Sequence, residues 1–126
     1  VLEEVVASGK VKSIGISNYT IEDYQELEPH LKIVPVVNQI EVNPFLYRPK
    51  TLSYFASKGV VTQSYRALRQ GKGMSDATVQ AIAAKLGKTP SQILGRFCVQ
   101  RGVVLVAKSS KKARMEENMA VFDFAI

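Results

Sequence analysis

The sequence is poor in several residue types, and each shortage narrows the range of possible functions. Its 126 residues include one cysteine, one histidine and no tryptophan. A single cysteine excludes a disulfide within the chain and favours a reducing compartment, so we predict a cytoplasmic protein. Cys98 lies in an apolar helical stretch, which predicts a buried small side chain rather than a reactive thiol. No run of about 18 apolar residues is present, which argues against a membrane partner.

The remaining composition is ordinary for a globular protein, with 46% hydrophobic and 22% charged residues. The chain starts with Val-Leu-Glu-Glu, an acidic amphipathic segment unlike a secretory or transit signal. Because an initiator methionine is also lacking, we expect the chain to begin within a longer protein. We therefore predict one partial domain over residues 1–126.

Lysine and arginine outnumber aspartate and glutamate by 17 to 11, which gives a net charge of +6. The basic residues form two clusters, each directly after a predicted strand. This placement favours a compact polyanionic ligand over a long duplex, so we predict no nucleic-acid partner. For either cluster alone, a solvated surface that aids solubility is the alternative. The clusters are Arg66, Arg69 and Lys72, and Lys108, Lys111, Lys112 and Arg114.

Strand-like and helix-like patterns alternate along the chain. The strand-like segments are short continuous runs of apolar or β-branched residues, which are typical of strands buried on both faces of a parallel sheet. Thr20 and Thr89 are predicted helix N-caps, the first with Asp23 in its first turn and the second followed by Pro90. We predict strands at 11–16, 36–42, 60–65 and 103–106, and helices at 1–8, 21–27, 50–57, 76–86, 90–100 and 111–118.

Strict alternation of this kind predicts an α/β fold with a parallel sheet, either doubly wound or part of a (β/α)8 barrel. No Gly-x-Gly-x-x-Gly follows any predicted strand, which disfavours a dinucleotide-binding doubly wound sheet. Periodicity alone does not choose further between the two.

Four ordered blocks of sequence do favour the barrel. Together with their spacing they resemble the aldo-keto reductase family over essentially the whole chain. The resemblance implies a partial (β/α)8 TIM barrel, about strands 5–8 with their helices, from the C-terminal half of the family fold. The blocks are GKVKSIGISNY at 9–19, VNQIEVNP at 37–44, QSYRAL at 63–68, and VAKSS at 106–110 with RMEEN at 114–118.

The first three blocks carry polar or aromatic side chains at strand ends, where ligands of parallel barrels bind. The resemblance implies that Ser17, Asn18 and Gln39 hold the nicotinamide carboxamide of NADPH. It also implies that Tyr65 stacks on the nicotinamide ring. The alternatives are that Asn18 starts a turn, that Gln39 fills a polar gap, and that Tyr65 is a core aromatic.

The last block joins cations and hydroxyls, as a phosphate monoester requires. By resemblance, Lys108, Ser109, Arg114 and Asn118 bind the adenosine 2′-phosphate and adenine, and the motif includes Ser110. Glu117 is the residue that the family pattern implies for the adenine edge. Two cations favour NADPH over NADH, because a 2′-hydroxyl does not require them.

The loop after Tyr65 departs from the family pattern. Where the family has Ser-Pro-Leu-Gly, this chain has Arg66, Ala67, Leu68 and Arg69. In one hypothesis both arginines grip the pyrophosphate by charge, with residues 70–73 as a flexible clasp. In the other the loop packs elsewhere and cofactor affinity suffers.

The family's catalytic Asp, Tyr, Lys and His have no counterparts in this chain. His30 lies between a predicted helix and strand at the opposite rim from the strand ends. The resemblance therefore implies an NADPH-dependent reductase of aldehydes or ketones, whose small carbonyl substrate binds in the complete protein. The alternative is a non-catalytic nucleotide-binding or structural family member. We expect the chain alone to be inactive, and its open sheet edges predict self-association.

Overall fold

A computed structural model describes all residues from 1 to 126 and contains six α-helices, four strands and two 3-10 helices. The strands are β1 Gly15–Ser17, β2 Val37–Glu41, β3 Val61–Tyr65 and β4 Val104–Leu105. The α-helices are α1 Leu2–Ala7, α2 Ile21–Leu27, α3 Pro49–Ser57, α4 Ala77–Leu86, α5 Pro90–Val99 and α6 Lys112–Met119. The 3-10 helices are Glu28–His30 and Arg69–Ser75.

The predicted order of helices and strands is confirmed, but all four strands are shorter than predicted, the first and last by the largest share. The first begins at Gly15 instead of residue 11, because Val11 and its neighbours up to Ser13 are exposed and gain no burial from an extended ladder. The last strand comprises only Val104 and Leu105. Residues 70–73, which one hypothesis made a flexible clasp, lie in the segment Arg69–Ser75, whose 3-10 turns are interrupted by a kink at Gln70 and Gly71 (φ 54° and 90°).

The four strands form one parallel sheet in the order β1-β2-β3-β4. In the β1–β2 pair, Gly15 lies opposite Val37 and Ser17 opposite Gln39. A side chain at Gly15 would place its Cβ 2.4 Å from Val37 Cγ1, so this close approach requires glycine. The register brings the carboxyl ends of both strands, with Ser17 and Gln39, side by side.

The prediction that the strands are buried on both faces is wrong. In β2, Asn38 and Ile40 are buried while the residues between them are only half-buried, and β3 follows the same pattern with Thr62 and Ser64. Successive side chains of a strand point to opposite faces, and only one of those faces is fully covered within this chain.

Residues 1–40 and 48–63 form one compact unit, called here the first unit. Tyr24, Phe55 and Val60 are its buried core, and the rings of Tyr24 and Phe55 meet edge to face at 5.3 Å. The predicted N-cap of α2 is confirmed. The Thr20 side chain accepts from the Asp23 backbone N–H, and the Asp23 carboxylate accepts in return from the Thr20 N–H. These bonds lower the pKa of Asp23 below its usual range.

Residues 41–47 and 64–126 form the second unit. Its core is the packed faces of α4 and α5, with Val79, Ala83, Ile93 and Leu94 buried. The chain passes from α4 to α5 through Gly87 in the left-handed conformation (φ 61°), and Thr89 caps α5 as predicted. No helix of the chain is long and apolar enough to cross a lipid bilayer.

The single cysteine is buried in the second unit, which confirms the prediction of a buried side chain. Cys98 is fully buried, and its thiol donates to the Val42 carbonyl oxygen at 3.7 Å. Burial raises the pKa of the Cys98 thiol, because the thiolate would lose its hydration. The group is therefore held as a neutral small hydrophobe.

Candidate functional site

A cavity of about 620 Å³ in the second unit contains most of the residues that the sequence predicted as cofactor ligands. They come from the end of β3 and the loop after it, from the segment after β4, and from α6. The Val106 N–H donates to the Ser64 carbonyl oxygen at 3.1 Å, which holds these two segments together. The predicted residues that line the cavity are Tyr65, Arg66, Leu68, Lys108, Ser109, Ser110, Arg114, Glu117 and Asn118.

The segment between β4 and α6 combines cations with backbone donors. Lys108 and Arg114 are exposed, so their charged groups are available to a ligand in the cavity. The Ser109 hydroxyl accepts from the Lys111 N–H at 3.1 Å and fixes the turn that starts α6. No side chain caps the first turn of α6. The positive end of this helix therefore adds to the attraction that the two cations exert on an anion.

The last turn of α6 is fastened to the first turn of α5. The Thr89 hydroxyl donates a very short hydrogen bond to the Glu117 carboxylate Oε1. The Ser91 hydroxyl donates to Asn118 Oδ1 at 3.3 Å. Gln92 Nε2 donates to the Ala120 carbonyl oxygen at 2.9 Å. Glu117 and Asn118, which line the cavity, thus each accept a hydrogen bond from the start of α5.

Several cavity residues were missed at the sequence level. Gln70 and Gly71 line the cavity and belong to the segment 70–73 that one hypothesis placed at the pyrophosphate. Ser91, whose sequence context indicated only the start of a helix, and Met74 also line the cavity and were not predicted. Nothing in the local pattern marks these residues as neighbours of Lys108 or Arg114.

The loop after Tyr65 uses its two arginines differently. Arg66 lines the cavity and lies 3.7 Å from the Glu41 carboxylate, an ion pair that is half exposed and therefore weak. The Arg69 guanidinium lies over the Phe45 ring at 4.8 Å and is not among the lining residues. The geometry thus agrees with a role for Arg66 at the cavity and does not favour a direct role for Arg69.

The backbone of this loop is unusual. Arg66, Arg69 and Gln70 have φ values of 52°, 47° and 54°, in the left-handed region that costs non-glycine residues about 1 kcal/mol or more. Arg66 contacts Glu41 and Arg69 contacts Phe45, so both left-handed arginines have a side-chain partner in residues 41–47.

The three residues predicted to bind the carboxamide lie in the first unit. The Ser17 hydroxyl and the Asn18 backbone N–H both donate to the Gln39 carbonyl oxygen, at 2.9 and 3.0 Å. Gln39 Nε2 donates to Gln63 Oε1 at 2.5 Å. Gln63 is a member of this group that sequence reasoning missed, because only the pairing order of the strands brings it beside Gln39.

A buried asparagine lies next to the Ser17, Asn18 and Gln39 group and bonds to the backbone beside it. Asn38 is fully buried, and its Nδ2 donates to the Tyr19 carbonyl oxygen at 3.0 Å. This bond fixes the turn after β1, where Asn18 has a φ of 59°. Asn18 lies at a bend directly after the carboxyl end of β1.

The only histidine contributes to neither group. His30 is the last residue of the 3-10 helix Glu28–His30 and is exposed. No group of three or more histidine, cysteine, aspartate or glutamate residues is arranged to hold a metal ion.

The family model and the related proteins that match this chain agree on one family. The aldo/keto reductase family model matches residues 1–73. The chain is 43% identical to an uncharacterized oxidoreductase of Schizosaccharomyces pombe, over 99% of this chain and 46% of that protein. It is 41% identical to aldose reductase B of Dictyostelium discoideum, over 99% of this chain and 41% of that protein. The chain thus spans about half the length of these relatives.

Solved structures show the same fold. The aldose reductase from Schistosoma japonicum superimposes with a TM-score of 0.92 at 37% identity, covering 99% of this chain and 41% of that one. A mutant of Gox0644 in complex with NADPH superimposes with a TM-score of 0.92 at 36% identity, covering 99% and 46%. These matches confirm the predicted α/β fold of parallel strands as part of a barrel. The chain belongs to the aldo/keto reductase family.

Proposed function

We propose that the complete protein reduces aldehydes or ketones to alcohols with NADPH, and that this chain is the C-terminal half of its barrel and holds the cofactor. The observation that carries the proposal is the meeting of Lys108, Ser109 and Arg114 with Tyr65 in one cavity. A family member of the same fold has been solved in complex with NADPH, which supports the choice of cofactor.

The cations of the cavity suit the adenosine 2′-phosphate of NADPH. A phosphate monoester carries close to two negative charges at neutral pH and three acceptor oxygens. Arg114 offers a planar fork of donors, Lys108 a mobile ammonium group, and Ser109 and Ser110 hydroxyls. NADH has a hydroxyl group in place of this phosphate and would leave the two cations without a counter-charge. We therefore propose that the protein uses NADPH in preference to NADH.

To bind the nicotinamide, the protein must supply an aromatic ring that stacks on it and polar groups that orient its carboxamide. In this proposal Tyr65 covers one face of the ring, and the Ser17, Asn18 and Gln39 group holds the carboxamide, which both donates and accepts hydrogen bonds. Bound NADPH would supply the hydride. The proton donor would come from the remainder of the protein, since the family's Asp, Tyr, Lys and His have no counterparts in this chain.

The proposal extends to the substrate, location and partners of the complete protein. We propose a small carbonyl compound as the substrate of the complete protein and a cytoplasmic location, with neither nucleic acid nor membrane as a partner. The open edges of the sheet suggest that the isolated chain self-associates.

Titration of the 126-residue chain with NADPH tests the proposal. We expect saturable binding, followed by nicotinamide fluorescence, and no loss of NADPH absorbance when an aldehyde is added. The proposal that this chain holds the cofactor would be contradicted if NADPH did not bind. Turnover of an aldehyde by the pure chain would instead show that the proton donor lies within it.

Replacing the two loop arginines separately distinguishes their roles. Arg66→Ser removes a cation that lines the cavity, so we expect affinity for NADPH and NADH to fall alike, by roughly 3- to 10-fold. Arg69→Gly removes the stack on Phe45 but also relieves the left-handed backbone, and we expect less than a 3-fold change. Isothermal titration with both cofactors measures this, with the exposed Lys50→Ala as control. Equal losses for the two variants would instead support a pyrophosphate grip by both arginines.

A further inference from the structure

α6 carries three of the residues that line the cavity, but burial of its own side chains does not hold it in place. Arg114, Glu117 and Asn118 line the cavity, whereas no residue of α6 is buried. Isolated helices need about 12 residues or more to be stable, and α6 has eight. The position of α6 therefore depends on its neighbours, and the hydrogen bonds from the start of α5 reach only its last turn.

The residues that follow α6 supply a further attachment. Residues 120–126, called here the anchor segment, form neither helix nor strand. Gln92, Arg96 and Gln100 are four residues apart, so their side chains share one side of α5. Each donates to a main-chain carbonyl oxygen of the anchor segment, namely that of Ala120 at 2.9 Å, Val121 at 3.0 Å and Ile126 at 2.9 Å. One side of α5 thus binds the main chain of the segment from its first residue to its last.

Side chains of the anchor segment also pack against α5 and its core. Val121 is only 1% exposed, and Gly95 leaves room for it, since a Cβ at that glycine would lie 3.3 Å from Val121 Cγ1. Phe124 packs against the core of the second unit. Lys88 Nζ lies 2.6 Å from the Asp123 carboxylate and 5.0 Å from the centre of the Phe124 ring. The anchor segment therefore has the buried apolar side chain that α6 lacks.

The anchor segment and α6 are joined without a flexible linker. Ala120 directly follows the last residue of α6, and its N–H donates to the carbonyl oxygens of Glu116 and Glu117. The α5 residues that hold the segment do not line the cavity themselves, and neither does Val121. A change at this side of α5 therefore reaches the cavity only by way of α6.

We propose that docking of the anchor segment on α5 is coupled to ligand binding in the cavity, so that each stabilises the other. In this inference Arg96 and Val121 are positioning residues, which touch no ligand and hold α6 where its polar side chains line the cavity. The coupling is reciprocal, so a ligand held by α6 also strengthens the docking of the segment. The inference rests on the proposed function, from which NADPH is taken as the ligand.

Arg96→Met removes the donor to the Val121 carbonyl oxygen and keeps an unbranched apolar side chain. We expect the affinity for NADPH to fall by roughly 3- to 10-fold, because α6 is then less often in its binding position. Arg96→Lys keeps a donor and should recover at least part of the loss. Arg48→Met, at an exposed arginine of the first unit, is the matched control and should bind NADPH as wild type does. Nicotinamide fluorescence measures each affinity.

Val121→Ala tests the packed part of the attachment. We expect the main-chain amides of α6 and of the anchor segment to exchange with solvent at least about 10-fold faster, and those of α2 and α3 to keep their wild-type rates. The affinity for NADPH should fall together with this loss of protection. Val104→Ala, at a valine of the same unit that is 45% exposed, is the matched control and should change neither.

The reciprocal effect is measured on the wild-type chain. The Ile126 N–H donates to Gln100 Oε1 at 3.0 Å, six residues beyond the start of the anchor segment. Bound NADPH should slow the exchange of this N–H by more than it slows the amides of α2, as followed by NMR. A segment that only adds stability would exchange at the same rate, relative to α2, with and without NADPH.

The results separate this inference from the proposed function. If Arg96→Met and Val121→Ala speed the exchange of residues 120–126 but leave NADPH affinity within about 2-fold of wild type, the coupling is overturned and the proposed function stands. Wild-type exchange rates in both variants would show that these contacts do not hold the segment, which also overturns the inference. Failure of the wild-type chain to bind NADPH overturns both. Circular dichroism confirms that each variant is folded before it is compared.

Discussion

Replacing Lys108 and Arg114 together with alanine is expected to weaken NADPH binding by roughly 100-fold while changing NADH binding by less than about 3-fold. The reason is that both cations line the cavity and that only NADPH carries the 2′-phosphate that they would neutralise. Both side chains are exposed, so solvent screening reduces each contribution below that of a buried pair. Fluorescence titration with each cofactor at the same ionic strength measures the effect.

The control for this double variant removes the same charge elsewhere. Lys50 in α3 and Lys85 in α4 are exposed and do not line the cavity, so their combined replacement by alanine should leave both affinities near wild type. Salt offers a second check, since added salt should weaken NADPH binding to the wild-type chain more than to the double variant. Parallel losses for NADPH and NADH would contradict the assignment of this cluster to the 2′-phosphate.

Leu94→Ala is expected to lower the free energy of unfolding by about 2 to 5 kcal/mol, a loss comparable to much of the stability of a small domain. Leu94 is fully buried in the core of the second unit, where Leu68 and Met74 pack against it. Truncation leaves an empty space between α4 and α5, and the neighbouring side chains lose their packing contacts there. Denaturant unfolding followed by circular dichroism measures the loss.

Leu2→Ala provides the contrast, because Leu2 is 57% exposed in α1 and its truncation should change stability by less than about 0.5 kcal/mol. At temperatures where the Leu94 variant remains folded, NADPH affinity should also fall, since Leu68 and Met74 line the cavity. If the variant were as stable as wild type, α4 and α5 would not be the core that supports the cavity wall.

The fold was largely predictable because its signals are local. Thr20 with Asp23, and Thr89 with Pro90, fixed the starts of α2 and α5 within a few neighbouring residues. Apolar runs located all four strands, and the alternation of types gave a parallel sheet. The strand limits were less certain because they depend on burial, as the exposed Val11 illustrates.

The site was predictable only where the chemistry is carried by consecutive residues. Lys108 and Arg114 stand in one short segment and were predicted to lie together, and both line the cavity. The Arg69–Phe45 stack and the Gln39–Gln63 amide pair each join residues 24 apart in the chain, and no local rule brings them together. Such contacts follow from the order of the strands and from the left-handed backbone of the loop, which are properties of the folded chain.

Because the only thiol is buried, the rate at which it is chemically modified reports how often the protein opens locally. Alkylating reagents attack thiolates. In the folded chain Cys98 is inaccessible, and its raised pKa favours the protonated thiol. Its rate of modification therefore measures how often the second unit opens rather than how reactive the sulfur is. A ligand that binds the closed cavity would slow that labelling in proportion to its occupancy, without any chromophore in the ligand.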